Sequence, residues 1–256
     1  MNTEGEKIKN KVRKRYGNLA KNNSSCNCSI PSCCSSSPSN KQISKLIGYS
    51  EKEMSAVPEE ANLGLGCGNP TAFSNIKEGD TVLDLGSGAG FDCFLTSKKV
   101  GKTGKVIGLD MTEEMINRAR LLAKQHGYAN VEFRLGDIEQ MPIDDSVVDV
   151  IISNCVINLA PDKLKVFKEA YRVLKSGGKM FVSDIVLIGQ LSEEQRNDED
   201  LLTSCVAGAL HKADYLSKME QAGFSVKIAG GDNKEISLTQ YSGLPIESLK
   251  IEASKK

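Results

Sequence analysis

The chain has 256 residues, with 33 lysines and arginines against 33 aspartates and glutamates, and 39% of its residues are hydrophobic. That length holds one α/β domain with a sizeable core and appendages and is short for two large domains. A formal net charge of zero leaves no basic footprint for nucleic acid and favours a small-molecule substrate. No apolar run approaches a bilayer-spanning length and the N-terminal stretch is charged, so no membrane partner and a cytoplasmic location are expected. Eight cysteines in a reducing compartment read as free thiols for metals, metalloids or redox chemistry.

Residues 1–41 read as a flexible N-terminal arm. Lys7 to Tyr16 is rich in lysine and arginine and suits either a solvated arm or a basic helix folding over a ligand. From Asn22 to Asn40, serine, asparagine, cysteine and proline leave too little apolar side chain for the segment to order itself. Cys26 and Cys28, then the vicinal Cys33 and Cys34, are spaced too tightly for a zinc ribbon. They suit capture of a soft ion, or oxidation and exchange, or form a thiol-rich tail without function. Residues 42–75 follow as a helix and a loop. Ser50 and Glu53 make a capping box for a short helix ending before Pro58. Gly64, Gly66 and Gly68 surround Cys67 between Asn62 and Pro70, predicting a thiol on exposed, irregular backbone.

The main domain, 76–256, is organised around Thr81 to Gly90. Val82, Leu83 and Leu85 read as a buried strand carrying Asp84, which breaks into a turn at Gly86, Ser87, Gly88 and Gly90. A glycine turn leaving a strand of an open α/β sheet marks its ligand-binding end. Counted from Gly86, the sixth residue is Phe91, so the dinucleotide fingerprint is absent, and this turn carries no Gly-Lys-Ser/Thr and so is not a phosphate loop. Phe91 to Lys99 reads as a helix with Cys93 as a small core residue. Lys105 to Asp110 is a second strand whose terminal acid, about twenty residues past the glycines, is placed to bond a ribose diol or to cap the next helix at Thr112.

A helix over Glu113 to His126 buries Met115, Ala119, Leu122 and Ala123. A third strand and a turn at Gly136-Asp137-Ile138 occupy Val131 to Pro142. The fourth strand, beginning at Val148, exits through Ser153, Asn154 and Cys155, setting Cys155 at the same end of the sheet as the glycine turn. A helix over Lys163 to Leu174, a turn at Ser176-Gly177-Gly178 and a strand from Lys179 to Asp184 come next. Residues 190–240 are expected to supply substrate-binding helices and strands: a helix carrying Cys205, another from His211 or Asp214 through Ala222, a strand after Gly223 and a last strand at Glu235 to Leu238. The polar C-terminus is expected to fray.

Asp84 two residues ahead of alternating glycines, together with Leu174 to Asp184, LKSGGKMFVSD, resembles the Rossmann-like S-adenosylmethionine-dependent methyltransferases. The resemblance implies an α/β fold with a mostly parallel central sheet flanked by helices, and S-adenosyl-L-methionine as cofactor. By it, Gly86, Ser87, Gly88 and Gly90 pass under the methionine moiety, Asp84 acts near its ammonium, and Asp110 holds the ribose. Met111, Asp137, Ile138 and Glu139 would flank the adenine, with Asn154 also on the cofactor side.

Three further segments, NLGLGCGNP (62–70), ISNCVINL (152–159) and TSCVAGAL (203–210), resemble the cysteine motifs of arsenite S-adenosylmethionine methyltransferases. That resemblance implies arsenite or an arsenic–thiol conjugate as substrate, bound by the thiolates of Cys67, Cys155 and Cys205. It further implies thiol exchange at Cys33 or Cys34, pairing with Cys67 and reset by thioredoxin or glutathione. Arsenic(III) is soft and suits sulfur ligands. Three sulfurs leave its lone pair free to attack a sulfonium methyl, and no general base is needed. The chain accordingly has only two histidines, His126 and His211. A carbon or oxygen methyltransferase for a small organic substrate would share the cofactor motifs but tolerate serine at the three cysteines. A non-catalytic thiol protein binding metalloid or zinc would form no product.

Overall fold

A computed structural model of the protein describes residues 3–21, 39–232 and 243–256. The segment expected to be a flexible arm opens with a long helix, α1 (Glu4–Lys21). Lys9, Val12, Tyr16 and Ala20 fall on one face of it at helical spacing. That face orders the helix, since Val12 and Ala20 are buried and Tyr16 packs beside them, while Lys11 and Lys14 face solvent. Cys26, Cys28, Cys33 and Cys34 lie outside the described residues.

Three short helices follow: α2 (Asn40–Leu46), α3 (Glu51–Ser55) and α4 (Pro70–Phe73). Each begins on a side-chain cap, from Ser39, Ser50 and Asn69 respectively, which satisfies backbone N–H groups the helix cannot pair internally. The capping box read at Ser50 and Glu53 is present.

The main domain alternates β1 (Thr81–Leu85), α5 (Phe91–Val100), β2 (Lys105–Asp110), α6 (Glu113–Gln125), β3 (Val131–Leu135), β4 (Val148–Asn154), α7 (Lys163–Val173) and β5 (Leu174–Leu187). It continues through α8 (Glu193–Asn197), α9 (Glu199–Thr203), α10 (Lys212–Gln221), β6 (Ser225–Asp232) and β7 (Ile246–Ser254). The seven strands lie in the order β3-β2-β1-β4-β5-β7-β6. Strands β1 to β5 are parallel, and β7 runs antiparallel between β5 and β6. This is the Rossmann-like methyltransferase architecture expected from the sequence. Apolar clusters cover both faces: Phe167, Tyr215 and Met219 stand in one, and Phe94, Ile116 and Phe133 in the other. Burial on both faces accounts for the continuous apolar runs of β1 and β4.

Two expectations are corrected here. The C-terminal residues do not fray, because Leu249, Ile251 and Ala253 are buried while Lys250 and Glu252 alternate between them, a period-two pattern that makes β7 a strand. The last strand expected at Glu235 to Leu238 lies outside the described residues. The turn expected at Ser176 to Gly178 is an irregularity inside β5: Leu174 pairs with Val148, the register shifts, and pairing resumes at Lys179 opposite Val150.

β1 has β2 on one side and β4 on the other, so the strand order reverses at its carboxyl end and a crevice opens there. Gly86 enters that crevice with φ +68°, and a Cβ there would press into Val156. Gly86→Ala is therefore expected to cost about 1–3 kcal/mol, measured as a lower urea midpoint at unchanged slope.

Candidate active site

A cleft of about 1100 Å³, counted to its open mouth, lies at the carboxyl ends of β1, β2 and β4. The end of β1 contributes Asp84, Gly86, Ser87 and Gly88, and the end of β2 contributes Asp110 and Met111. Asp137 and Ile138 come from the turn after β3, and Asn154 and Cys155 from the exit of β4. Gly90 and Glu139, expected among them, do not line the cleft. Gly90 starts α5 at φ +93°, where a Cβ would strike Phe133. Glu139 is buried, its carboxylate accepting from Asp162 N–H and Lys9.

Several features fit S-adenosylmethionine, a ligand with a cationic sulfonium, an ammonium and a ribose diol. Burial holds the Asp84 carboxyl well above the usual carboxylate range, and the neighbouring charges of Asp92 and Asp110 push the same way. Three acids so gathered favour a cation. Asp110 is oriented by N–H groups of Gly88, at 3.0 Å, and Thr112, at 2.8 Å, so the anticipated bond to Thr112 is present. Ser87 Oγ is buried with no partner among the described residues, and the space where a Gly88 Cβ would stand is open. Helix α1 completes the wall with Lys9, Val12 and Tyr16.

Cys155 leads from this cleft into the thiol cluster. Cys67 is only 2% exposed, contrary to the exposed loop expected for it. Its loop is drawn in by Asn154, whose Oδ1 accepts from Cys67 N–H at 3.1 Å and whose Nδ2 donates to Gly68 O at 2.8 Å. Ser248 of β7 donates to Cys67 O at 2.8 Å from the other side. The glycines around Cys67 permit this contact: a Cβ on Gly66 would stand 2.7 Å from Asn154 Nδ2, and one on Gly68 2.8 Å from Ser183.

Cys205 stands two residues past α9 rather than on a helix, and its Sγ donates to Cys155 O at 2.6 Å. Cys155 has φ +57° and Cys205 φ +70°; only Ser146 joins them as a left-handed non-glycine residue among the described residues. Such backbone costs roughly 1–2 kcal/mol per residue and persists where surrounding contacts impose it, as at functional sites. The Sγ atoms of Cys67 and Cys155 and a carboxylate oxygen of Asp184 all lie within 4.8 Å of one another. Cys155 thus meets both other cysteines, Cys67 through its thiol and Cys205 through its carbonyl.

Without a ligand, the pKa of each of these three thiols is raised. Burial is the main cause raising Cys67. At Cys155 the contact with Cys205 favours the thiolate, but Cys67, burial and the charge of Asp184 outweigh it. The contact with Cys155, then burial, raises Cys205.

A methyltransferase-domain family matches residues 76–223. An arsenite methyltransferase of Halobacterium salinarum is 42% identical, over 98% of this chain and 67% of its own length. The arsenite methyltransferase of Mus musculus is 32% identical, over 91% of this chain and 64% of its own. The crystal structure of an arsenic(III) S-adenosylmethionine methyltransferase from Chlamydomonas reinhardtii superposes with a TM-score of 0.63 at 32% identity, over 85% of this chain and 74% of that one. The chain belongs to the arsenite methyltransferase family. It spans about two thirds of the length of these curated relatives. No helix among the described residues is long and apolar enough to cross a membrane.

In this arsenite methyltransferase family member, sequence reasoning missed Lys9, Tyr49, Asp92 and Asp184 as parts of the site. Tyr49 OH donates to Asp92 Oδ1 at 2.7 Å and accepts from Asn154 Nδ2 at 2.9 Å, linking the cleft wall to the Cys67 loop. Asp92 immediately follows Phe91 at the start of α5, and an acid on the first turn after a glycine loop was the available signal. Lys9 Nζ lies 2.6 Å from both Asp137 and Glu139. The same helix reaches the thiol end, where Arg15 donates to Thr203 Oγ1 at 2.6 Å and Tyr16 OH to Thr203 O at 3.2 Å.

Burial pushes the Asp184 carboxyl up to about 7 despite the hydrogen bond from Tyr215. A carboxyl raised on folding binds more protons in the native than in the unfolded state between the two pKa values. Stability is therefore expected to fall as pH rises from about 4 to 7, by up to roughly 4 kcal/mol. Urea unfolding at pH 5 and pH 8 checks this: the wild type loses stability at pH 8, and Asp184→Asn reduces the difference.

Proposed function

We propose that the protein transfers the methyl group of S-adenosylmethionine to trivalent arsenic held by Cys67, Cys155 and Cys205. The observation that carries this reading is the position of Cys155, which lines the cofactor cleft, has its Sγ within 4.8 Å of Cys67 Sγ and offers its carbonyl to Cys205 Sγ. S-adenosylmethionine, when bound, supplies an electrophilic sulfonium methyl. The chain supplies the rest. The cationic ligand favours the charged forms of Asp84, Asp92 and Asp110, whose pKa values burial raises in its absence, and Asp110 is set to accept from its ribose.

Neutral thiols suit capture of arsenite. Each As–OH and S–H pair becomes an As–S bond and a water, so three thiols release three waters with no net proton loss. The sulfurs leave the arsenic lone pair unshared, and fixing its direction towards the cleft is worth roughly 7–11 kcal/mol of barrier. Apolar neighbours Leu159, Val206 and Ile246 share the cluster and keep water away. Residues 42–75 and the described part of 190–240 cover the substrate on this reading.

Methylation takes arsenic formally to the pentavalent state. Two thiols return the two electrons and become a disulfide, for which Cys33 or Cys34 with Cys67 is the pair we favour, and thioredoxin or glutathione reduces it. The cytoplasm keeps such thiols reduced. Changing Cys33 and Cys34 together to serine is expected to slow steady-state turnover and leave the first turnover in place, as rapid-quench product analysis shows. An undiminished steady-state rate with the same reductant demand contradicts this role.

The activity is tested with purified protein, arsenite, S-adenosylmethionine and thioredoxin. Arsenite-dependent S-adenosylhomocysteine and methylated arsenic are expected in step. Cofactor turnover on an organic acceptor, with no methylated arsenic, favours a carbon or oxygen methyltransferase.

A further inference from the structure

Arsenic(III) in a pyramid of three sulfurs has no use for a carboxylate, yet Asp184 stands with Cys67 and Cys155 in a mutually close donor set. Among the described residues this is the one group of three such donors at metal-binding distances. Asp184 is fully buried and firmly held: Oδ1 accepts from Asn158 Nδ2 at 3.0 Å and Ile185 N–H at 2.9 Å, and Oδ2 from Tyr215 OH at 3.0 Å. A carboxylate has about four acceptor sites, so one remains for a cation. Outer hydrogen bonds of this kind orient carboxylates that bind metals.

Two sulfurs and an oxygen within 4.8 Å of one another match the donor types of a tetrahedral zinc-like ion. Cys205 stands outside that mutual set but touches Cys155, its Sγ turned onto the Cys155 carbonyl. We propose that the cluster is also a site for a thiophilic divalent cation, zinc(II) or cadmium(II), held by Cys67, Cys155 and Asp184 with Cys205 as the fourth ligand.

Binding involves no oxidation or reduction. Four donor–metal bonds form, and the three thiol protons, with that of Asp184 where it is protonated, leave for solvent. The cation and arsenic(III) share three sulfurs and exclude each other, so the cation blocks access to the cysteines. The site rests on donor geometry and stands independently of the arsenic activity.

The test uses the full chain with serine at Cys26, Cys28, Cys33 and Cys34, fully reduced, titrated with zinc(II) by calorimetry. One equivalent is expected to bind with proton release. Asp184→Asn is expected to raise the zinc dissociation constant by about 10–100-fold. X-ray absorption at the zinc edge, on protein retaining Asp184, is expected to show sulfur at about 2.3 Å and oxygen at about 2.0–2.2 Å. This arm decides the matter if the Asn variant does not fold. Absence of stoichiometric zinc, a shell of sulfur alone, or an Asn variant with unchanged zinc affinity overturns the proposal. Zinc bound as described by a protein that methylates no arsenic removes the proposed activity and leaves this site in place.

Discussion

Cys155→Ser is expected to lower arsenite-dependent methyl transfer by about a thousandfold or more, roughly 4 kcal/mol of barrier. Serine fits the same space and meets the same left-handed backbone, so the loss is chemical rather than steric. A hydroxyl does not replace the soft sulfur that arsenic(III) prefers over oxygen. The position also matters more than its neighbours, because Cys155 alone of the three lines the cleft, with its Sγ within 4.8 Å of Cys67 Sγ and its carbonyl accepting from Cys205 Sγ. Its removal leaves Cys67 and Cys205 without the sulfur between them. Initial rates of S-adenosylhomocysteine formation at saturating cofactor measure the effect. A variant keeping more than about a tenth of the wild-type rate, a loss under about 1.4 kcal/mol, contradicts a three-sulfur arsenic site.

Lys9→Met is expected to raise the KM for S-adenosylmethionine by about tenfold or more, or 1.4 kcal/mol. Methionine keeps the length of the side chain and removes its charge. Lys9 is buried, and although burial opposes its charge, hydrogen bonds and attraction from Asp137 and Glu139 raise its pKa overall. Without it, two acids are left facing each other beside the cleft, and removing one partner from a buried ion pair leaves the other uncompensated. The loss spreads along α1, whose Val12 and Tyr16 form the same wall. Steady-state kinetics and limited proteolysis at the lysines and arginines of α1 check this together. An unchanged KM with an equally resistant helix contradicts the assigned role of Lys9.

The sheet core was readable because its residues act locally. Val82, Leu83 and Leu85 are apolar in succession, Gly86 must take positive φ, and Lys105 to Asp110 ends where the strand ends. The pocket ends of β1, β2 and β4 follow from the same logic. What escaped depended on partners distant in sequence. Cys67 looks exposed among glycines, yet those glycines exist to let Asn154 and Ser183 approach. The alternation of Leu249, Ile251 and Ala253 was present in the sequence, and the charged residues between them concealed a strand with partners on both sides. Lys9 reads as one lysine in a basic run until the fold places Asp137 and Glu139 against it, 128 and 130 positions away. Cys205 was assigned to the correct region, but its left-handed turn is imposed by contacts that helical propensity does not contain.

The claim on which the rest depends is that three distant cysteines hold one arsenic atom at the methyl end of the cleft. X-ray absorption at the arsenic edge, on the reduced protein loaded with one equivalent of arsenite, tests it most directly. Three sulfurs near the 2.3 Å typical of soft metal–thiolate bonds, falling to two when any one of Cys67, Cys155 or Cys205 becomes serine, is the result expected. An oxygen shell in the wild type, or three sulfurs that persist in all three serine variants, contradicts it.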